Sequence, residues 1–157
     1  MRYLKIAVND TFLLKIPYLK RVGAYGLLAV IFTVVGDSIA LLLYPGFNIT
    51  KKTISMLCKG PGGVFFQLGA TLTRVFTLLC MIYLSRLIIE DYIKESLIKT
   101  ALFSAIVSST CLIILGLCCG QNLIIALIHG TFAFLNWIFG LVYIALYSIL
   151  LFRHKRF

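Results

Sequence analysis

Three ionisable side chains lie inside long apolar runs of this 157-residue chain, where a charge is costly and marks a candidate site. They are Asp37, Arg74 and His129. Counted from the side of the membrane on which the loop 44–63 lies, they are at depths of roughly 10, 15 and 9 Å. An isolated Asp or Arg in mid-membrane costs about 2.5–3.5 kcal/mol, so we expect Asp37 and Arg74 to face one another. The polar side chains that could join this cluster are Gln67, Asn122 and Asn136.

Two interpretations of this polar cluster are open at the level of sequence. In one, Asp37 and Arg74 form a buried ion pair that holds two helices in register, with His129 capping the pair. In the other, the cluster lines a pocket in which Arg74 holds a phosphate or a carboxylate. Asp37, His129 and Arg74 could form a metal-free acid–base site or, with further ligands, a metal site, yet the runs hold one His, one Asp and no second carboxylate. We therefore predict no catalytic residue, no metal site and no cofactor.

The apolar runs that carry these side chains have the length and composition of membrane spans. The chain is 61% hydrophobic and 13% charged, whereas a soluble domain carries about 25% charged residues. Runs of about 18 or more apolar residues are typical of transmembrane helices, and the alternation of a β-barrel is missing. The sequence predicts an all-α, polytopic integral membrane protein, a bundle of four transmembrane helices. The expected spans are residues 22–44, 64–85, 100–119 and 123–152.

The distribution of Lys and Arg predicts how the bundle is oriented. Eleven of these residues fall in the tail 1–21, the loop 86–99 and the tail 153–157, against three in the loop 44–63. By the positive-inside rule, both termini are cytoplasmic and the protein lies in the cell membrane as a multi-pass protein. The net charge of +10 then favours anionic headgroups, so we expect membrane lipids as partners and no nucleic acid.

The segment before the first span and the cysteines give weaker signals. Residues 1–21 form either a short interfacial helix that ends near Pro17 or a frayed basic tail. Of the five cysteines only Cys58 lies in a loop, and their spacing predicts neither redox chemistry nor a metal site.

The long polar loop, "YPGFNITKKTISMLCKGPGG", covers residues 44–63. Proline and glycine at its start would end the first helix and turn the chain. Ile54 and Leu57 would dip back toward the membrane, so the loop is either a lid above the polar cluster or a plain solvated connector. The expected cap residues are Tyr44, Pro45, Gly46, Asn48 and Ser55.

The loop and the fourth span together resemble an uncharacterised prokaryotic family of multi-span membrane proteins. That family is known as a domain of unknown function and is similar in pattern to DRAM/Sfk-type membrane proteins. The resemblance implies a shared fold and an outward cap, and no reaction. The chain departs from the family pattern at Met56 to Cys58, and it has four spans where members often have six. The matching residues are Tyr44, Pro45, Gly46, Phe47, Asn48, Ile54, Ser55, Gly116, His129, Phe132, Ala133, Phe139 and Gly140.

Three functional hypotheses follow from these observations. The leading hypothesis is a non-enzymatic membrane protein that binds a lipid or another amphiphile, or that packs as a subunit of a homo-oligomer or a larger membrane complex. The second is a small oligomeric transporter or channel, since four spans enclose little room for a pore. The third is an intramembrane lipid-modifying enzyme, which this set of side chains supports least.

Overall fold

The structure, a computed structural model, describes residues 2–89, 95–118 and 122–153. This part of the chain is all-helical and contains no strand. Its four long helices are α1 (Arg2–Leu42), α2 (Gly63–Ile89), α3 (Glu95–Leu117) and α4 (Leu123–Arg153). Each contains a stretch long and apolar enough to cross a membrane, which confirms the prediction of an all-α bundle with four membrane-length helices.

Helix α1 differs from the sequence prediction at its start. It runs without interruption from Arg2 to Leu42 and contains Pro17, so no separate segment ends there. Pro17 removes one backbone donor from the helix and does not end it. The apolar stretch suited to span a membrane is Leu19–Leu42. Of the expected basic tail 153–157, residues 154–157 lie outside the described residues.

Consecutive helices pack antiparallel: α2 packs against α1, α3 against α2, and α4 against α3. A close backbone approach joins α1 to α2, where a Cβ added to Gly36 would lie 2.8 Å from the Cα of Gly69. Small residues of this kind let membrane helices bring their backbones into contact. One turn away, the hydroxyls of Thr33 and Thr73 lie 2.7 Å apart. These two contacts fix the register of α1 against α2.

The end of the bundle at which α2 ends and α3 begins is filled by side chains, and we call it the closed end. Its buried cluster comprises Leu84, Ile88, Ile98, Ala101, Tyr147 and Leu150. Val22 of α1 packs against this cluster, so all four helices meet there. The hydroxyl of Tyr147 bonds to Ser85 at 2.6 Å and donates to the Met81 carbonyl at 3.2 Å, which satisfies the polar groups of the cluster.

The opposite end, which we call the loop end, carries the connection between α1 and α2. A short 3₁₀ turn, Ile54–Lys59, forms part of that connection and buries Leu57 and Cys58. The turn packs against α2 and α1. The first and last helices make little direct contact. Space is therefore left between them in the half of the bundle below the turn.

Candidate ligand cavity

A cavity of about 370 Å³ lies between the four helices on the loop-end side of the bundle. Every helix contributes to its lining, and Ile54 and Ser55 of the 3₁₀ turn contribute as well. Its volume falls within the range of about 300–1,000 Å³ that small-molecule sites occupy. We call it the four-helix cavity. Its apolar wall includes Phe66, Leu112, Leu115, Ala133 and Trp137.

Four of the six polar side chains predicted to cluster line the four-helix cavity: Asp37, Arg74, His129 and Asn136. The structure therefore places side chains from α1, α2 and α4 on one common space. Gln67 is one of the two exceptions: its amide Nε2 lies 3.9 Å from the Cys58 sulfur and thus contacts the 3₁₀ turn. Asn122 lies outside the cavity, where its carbonyl accepts a bond from the Ala126 amide at the start of α4.

Asp37 and Arg74, both among the described residues, do not form the ion pair that their sequence positions suggested. The register of α1 against α2 gives the reason. Asp37 lies one turn toward the loop end from Thr33, while Arg74 follows Thr73 toward the closed end. At about 1.5 Å per residue, the two Cα atoms are separated by roughly 8 Å along the bundle axis. The two opposite charges share one cavity without touching.

The guanidinium group of Arg74 interacts instead with the hydroxyl of Tyr143 on α4. Its Nε is buried and has no hydrogen-bond partner within the described part of the chain. A buried donor left unpaired costs about 1–3 kcal/mol. On the Tyr143 side, Arg74 also lines a second cavity of about 170 Å³. Arg74 therefore lines two cavities, and its Nε–H donor is not used by the described part of the protein.

Asn136 is held in place from α3. The hydroxyl of Ser108 donates to the Asn136 side-chain oxygen at 2.9 Å and lies 3.3 Å from its carbonyl. This contact leaves the two N–H donors of the Asn136 amide without a bond to any described residue. Arg74 and Asn136 line the same two cavities, so an anion between them would find donors from two helices.

His129 lies between the four-helix cavity and a smaller one of about 160 Å³ nearer the loop end. Ser55 is the other side chain that lines both spaces. The 3₁₀ turn therefore sits above the polar cluster, where Ser55 and His129 each line both cavities.

The remaining expected cap residues shape the loop and do not line the four-helix cavity. The ring of Tyr44 covers Gly60, where any side chain would collide with it, and Lys52 Nζ lies 4.7 Å from the Tyr44 ring centroid. Gly46, which follows Pro45, has a φ of 69°, a conformation that favours glycine. The side-chain oxygen of Asn48 accepts two bonds from Thr50, at 2.9 and 2.6 Å.

Two features of the site were missed by reasoning from sequence. Cys58 in the 3₁₀ turn is disulfide-bonded, although the cysteine spacing predicted no redox chemistry. A disulfide depends on which cysteines the fold brings together, and spacing along the chain does not contain that information. Tyr143 and Trp137 were missed because aromatic residues in a membrane helix ordinarily mark packing or lipid contact.

Comparison with known proteins adds no relative to this description. No protein-family model, curated protein or solved structure was found that matches the chain. The resemblance of the loop and the fourth span to an uncharacterised membrane family stays a prediction. Among the described residues, no three His, Cys, Asp or Glu side chains come together as a metal ion would require. The site is therefore defined by its own geometry.

Proposed function

We propose that this protein is a multi-pass membrane protein that binds a membrane amphiphile in the four-helix cavity and does not transform it. The observation that carries the proposal is a single cavity with an apolar wall and a cluster of incompletely paired polar side chains. Such a space matches a molecule with a polar head and an apolar tail. Ligand pockets are in general largely apolar, with a small number of placed polar groups that fix orientation.

The way into the cavity favours a ligand that arrives through the lipid. The first and last helices make little contact, so in a membrane we expect the cavity to open sideways to lipid between α1 and α4. Trp137 lies on this border with 71% of its surface exposed, and it lines both the four-helix cavity and the second cavity. An amphiphile could slide its tail past Trp137 while its head group stays with the polar cluster.

The orientation of the protein forms part of the same proposal. The excess of Lys and Arg in the tails and in the loop 86–99 supports cytoplasmic termini. The disulfide-bonded Cys58 at the loop end supports the same arrangement, because disulfides persist in oxidising, non-cytosolic compartments. The ligand would then come from the outer leaflet of the cell membrane.

The two other hypotheses receive less support. A channel or transporter path through one bundle would have to cross the closed end, where Ile88 and Leu150 are almost completely buried. An enzyme that used His129 with a carboxylate would need the two within hydrogen-bond reach, and no such bond joins His129 to Asp37 in the described chain. Packing as a subunit of a homo-oligomer or a membrane complex is compatible with amphiphile binding.

The test is the retention of lipid by purified protein. The protein is reconstituted into nanodiscs of mixed membrane phospholipids, released into mild detergent, and its retained lipids are measured by native mass spectrometry. We expect about one retained lipid per chain, and a loss of about tenfold in Arg74→Gln because a charge-assisted contact is removed.

Arg86→Gln is the matched control, since Arg86 lies on the same helix outside the cavity, beside the ring of Tyr83. It should retain lipid as the natural protein does. Thermal unfolding of both variants verifies that they are folded. Equal retention by Arg74→Gln and Arg86→Gln, or no retention by the natural chain, would refute amphiphile binding in this cavity.

A further inference from the structure

We infer that the head group of the bound amphiphile carries two charges, an anionic phosphate or carboxylate at Arg74 and a cationic amine at Asp37. This inference rests on the proposed function and names the chemical class of its ligand. It begins from an arrangement that a structural ion pair does not explain. Two opposite charges line one cavity, and among the described residues they form no ion pair or hydrogen bond with each other.

A ligand with a single charge would leave one of these two side chains either beside a like charge or without an opposite one. A purely anionic head group at Arg74 would bring a second negative charge into the cavity that Asp37 lines. Two like charges in one largely apolar cavity repel more strongly than they would in water, because the effective dielectric constant is lower. A purely cationic ligand at Asp37 would leave Arg74 without an anion. A zwitterionic head group satisfies both side chains at once.

Neither charge has a counter-ion among the described residues. Asp37 is half-buried and takes part in no hydrogen bond or ion pair with the described chain. The contact of Arg74 with Tyr143 leaves its Nε unpartnered, and Asn136 adds two unused N–H donors. Arginine and amide donors together form a site suited to a phosphate or a carboxylate. The carboxylate of Asp37 is suited to an ammonium group.

The register of the helices sets the spacing and the order of these two positions. The Thr33–Thr73 hydroxyl contact and the close approach of Gly36 to Gly69 hold α1 and α2 in place. Asp37 consequently lies nearer the loop end and Arg74 about 8 Å deeper along the axis. An aminophospholipid has the same order, because its amine ends the head group and its phosphate lies between the amine and the tails.

The experiment compares two lipids that differ in the amine. The natural chain is reconstituted with equal amounts of phosphatidylethanolamine and phosphatidylglycerol of identical acyl chains, and the retained lipids are counted by native mass spectrometry. We expect phosphatidylethanolamine to be enriched about tenfold. In Asp37→Asn the enrichment should disappear while total retention persists. Glu95→Gln, at the closed end, is the matched control and should keep the enrichment.

A second arm needs no variant and so does not depend on the folding of Asp37→Asn. Phosphatidylethanolamine whose amine has been acetylated keeps its phosphate and loses its positive charge. The natural chain should retain it no better than phosphatidylglycerol. If the acetylated lipid is retained as well as the unmodified one, or if Asp37→Asn keeps the natural ratio, the two-charge inference is wrong and amphiphile binding stands.

A third arm separates the amphiphile from its head group alone. Soluble phosphoethanolamine added at the concentration of the lipid should displace little of it, because the apolar wall contributes to binding only when tails are present. Complete displacement would show that the ligand is a soluble zwitterion, and would overturn the amphiphile part of the proposal. If the natural chain retains neither phospholipid, the proposed function itself fails.

Discussion

Polar side chains are arranged differently at the closed end and in the half of the bundle that holds the four-helix cavity, which we call the cavity half. At the closed end, the hydroxyls of Ser85 and Tyr147 bond to each other inside an apolar cluster, and each is buried. In the cavity half, Asp37 and Arg74 lie on a common space and remain unpaired with each other. Buried polar groups in proteins are normally satisfied, and exceptions call for an explanation. The difference supports the proposal that one half is built for stability and the other for a ligand.

The comparison also separates two uses of membrane helices. Side chains at the closed end are interchangeable with others of the same volume and polarity, because their role is to fill space. Side chains at the cavity have chemistry that packing does not require. Sites of this kind often break local rules that the rest of a fold obeys. Substitutions should therefore change unfolding free energy at one end and ligand retention at the other.

The largest expected effect is a loss of stability at the closed end. Ile88→Ala should lower the free energy of unfolding by about 2–5 kcal/mol, because Ile88 is completely buried and its truncation leaves a cavity. Unfolding in mixed detergent and SDS measures this change. Ile144→Ala is the control, since 55% of Ile144 is exposed, and it should cost within about 0.5 kcal/mol. Equal costs for the two variants would contradict the assignment of the closed end as the stabilising region.

A smaller effect is expected from the polar pair at the same end. Tyr147→Phe should cost about 0.5–2 kcal/mol, because it removes the bond to Ser85 and the bond to the Met81 carbonyl. A double-mutant cycle with Ser85→Ala isolates the contribution of the hydroxyl pair. Additive effects of the two substitutions would show that the pair contributes nothing. Lipid retention should stay at the natural level in every variant of the cycle.

The smallest effect on stability is expected at the cavity. Arg74→Gln should change the free energy of unfolding by no more than about 1 kcal/mol, because it removes an unpartnered buried donor together with the contact to Tyr143. The same unfolding titration, on protein stripped of lipid, measures it. A loss as large as that of Ile88→Ala would mean that Arg74 is a structural residue, and the contrast between the two halves would disappear.

Sequence reasoning predicted the helices better than the contacts between them. Four apolar runs of membrane length leave little choice of secondary structure, and the proline–glycine turn that follows α1 is also visible in the chain. Depth along a span can be counted from its ends, which is why Asp37, Arg74 and His129 were predicted at similar levels. Whether two side chains touch depends on helix register, and that is set by the approach of Gly36 to Gly69.

The same limit explains the other differences. Gln67 was grouped with the cluster because of its depth, yet the rotation of α2 turns it toward the sulfur of Cys58. The rotation of a helix with apolar residues on all sides has no clear signature in sequence, since a polar stripe is missing. Pro17 predicted a helix end, whereas α1 continues through it, because a proline disfavours a helix at one residue without dictating where the helix ends.

The offset between Asp37 and Arg74 also has an electrical consequence. The proposed head group has no net charge, and its two charges would lie about 8 Å apart along the bundle axis. A unit charge that crosses a whole membrane changes in energy by about 2.3 kcal/mol per 100 mV. Opposite charges about 8 Å apart in a hydrocarbon core of about 30 Å would span roughly a quarter of that field. Occupancy of the cavity should therefore depend only weakly on a membrane voltage.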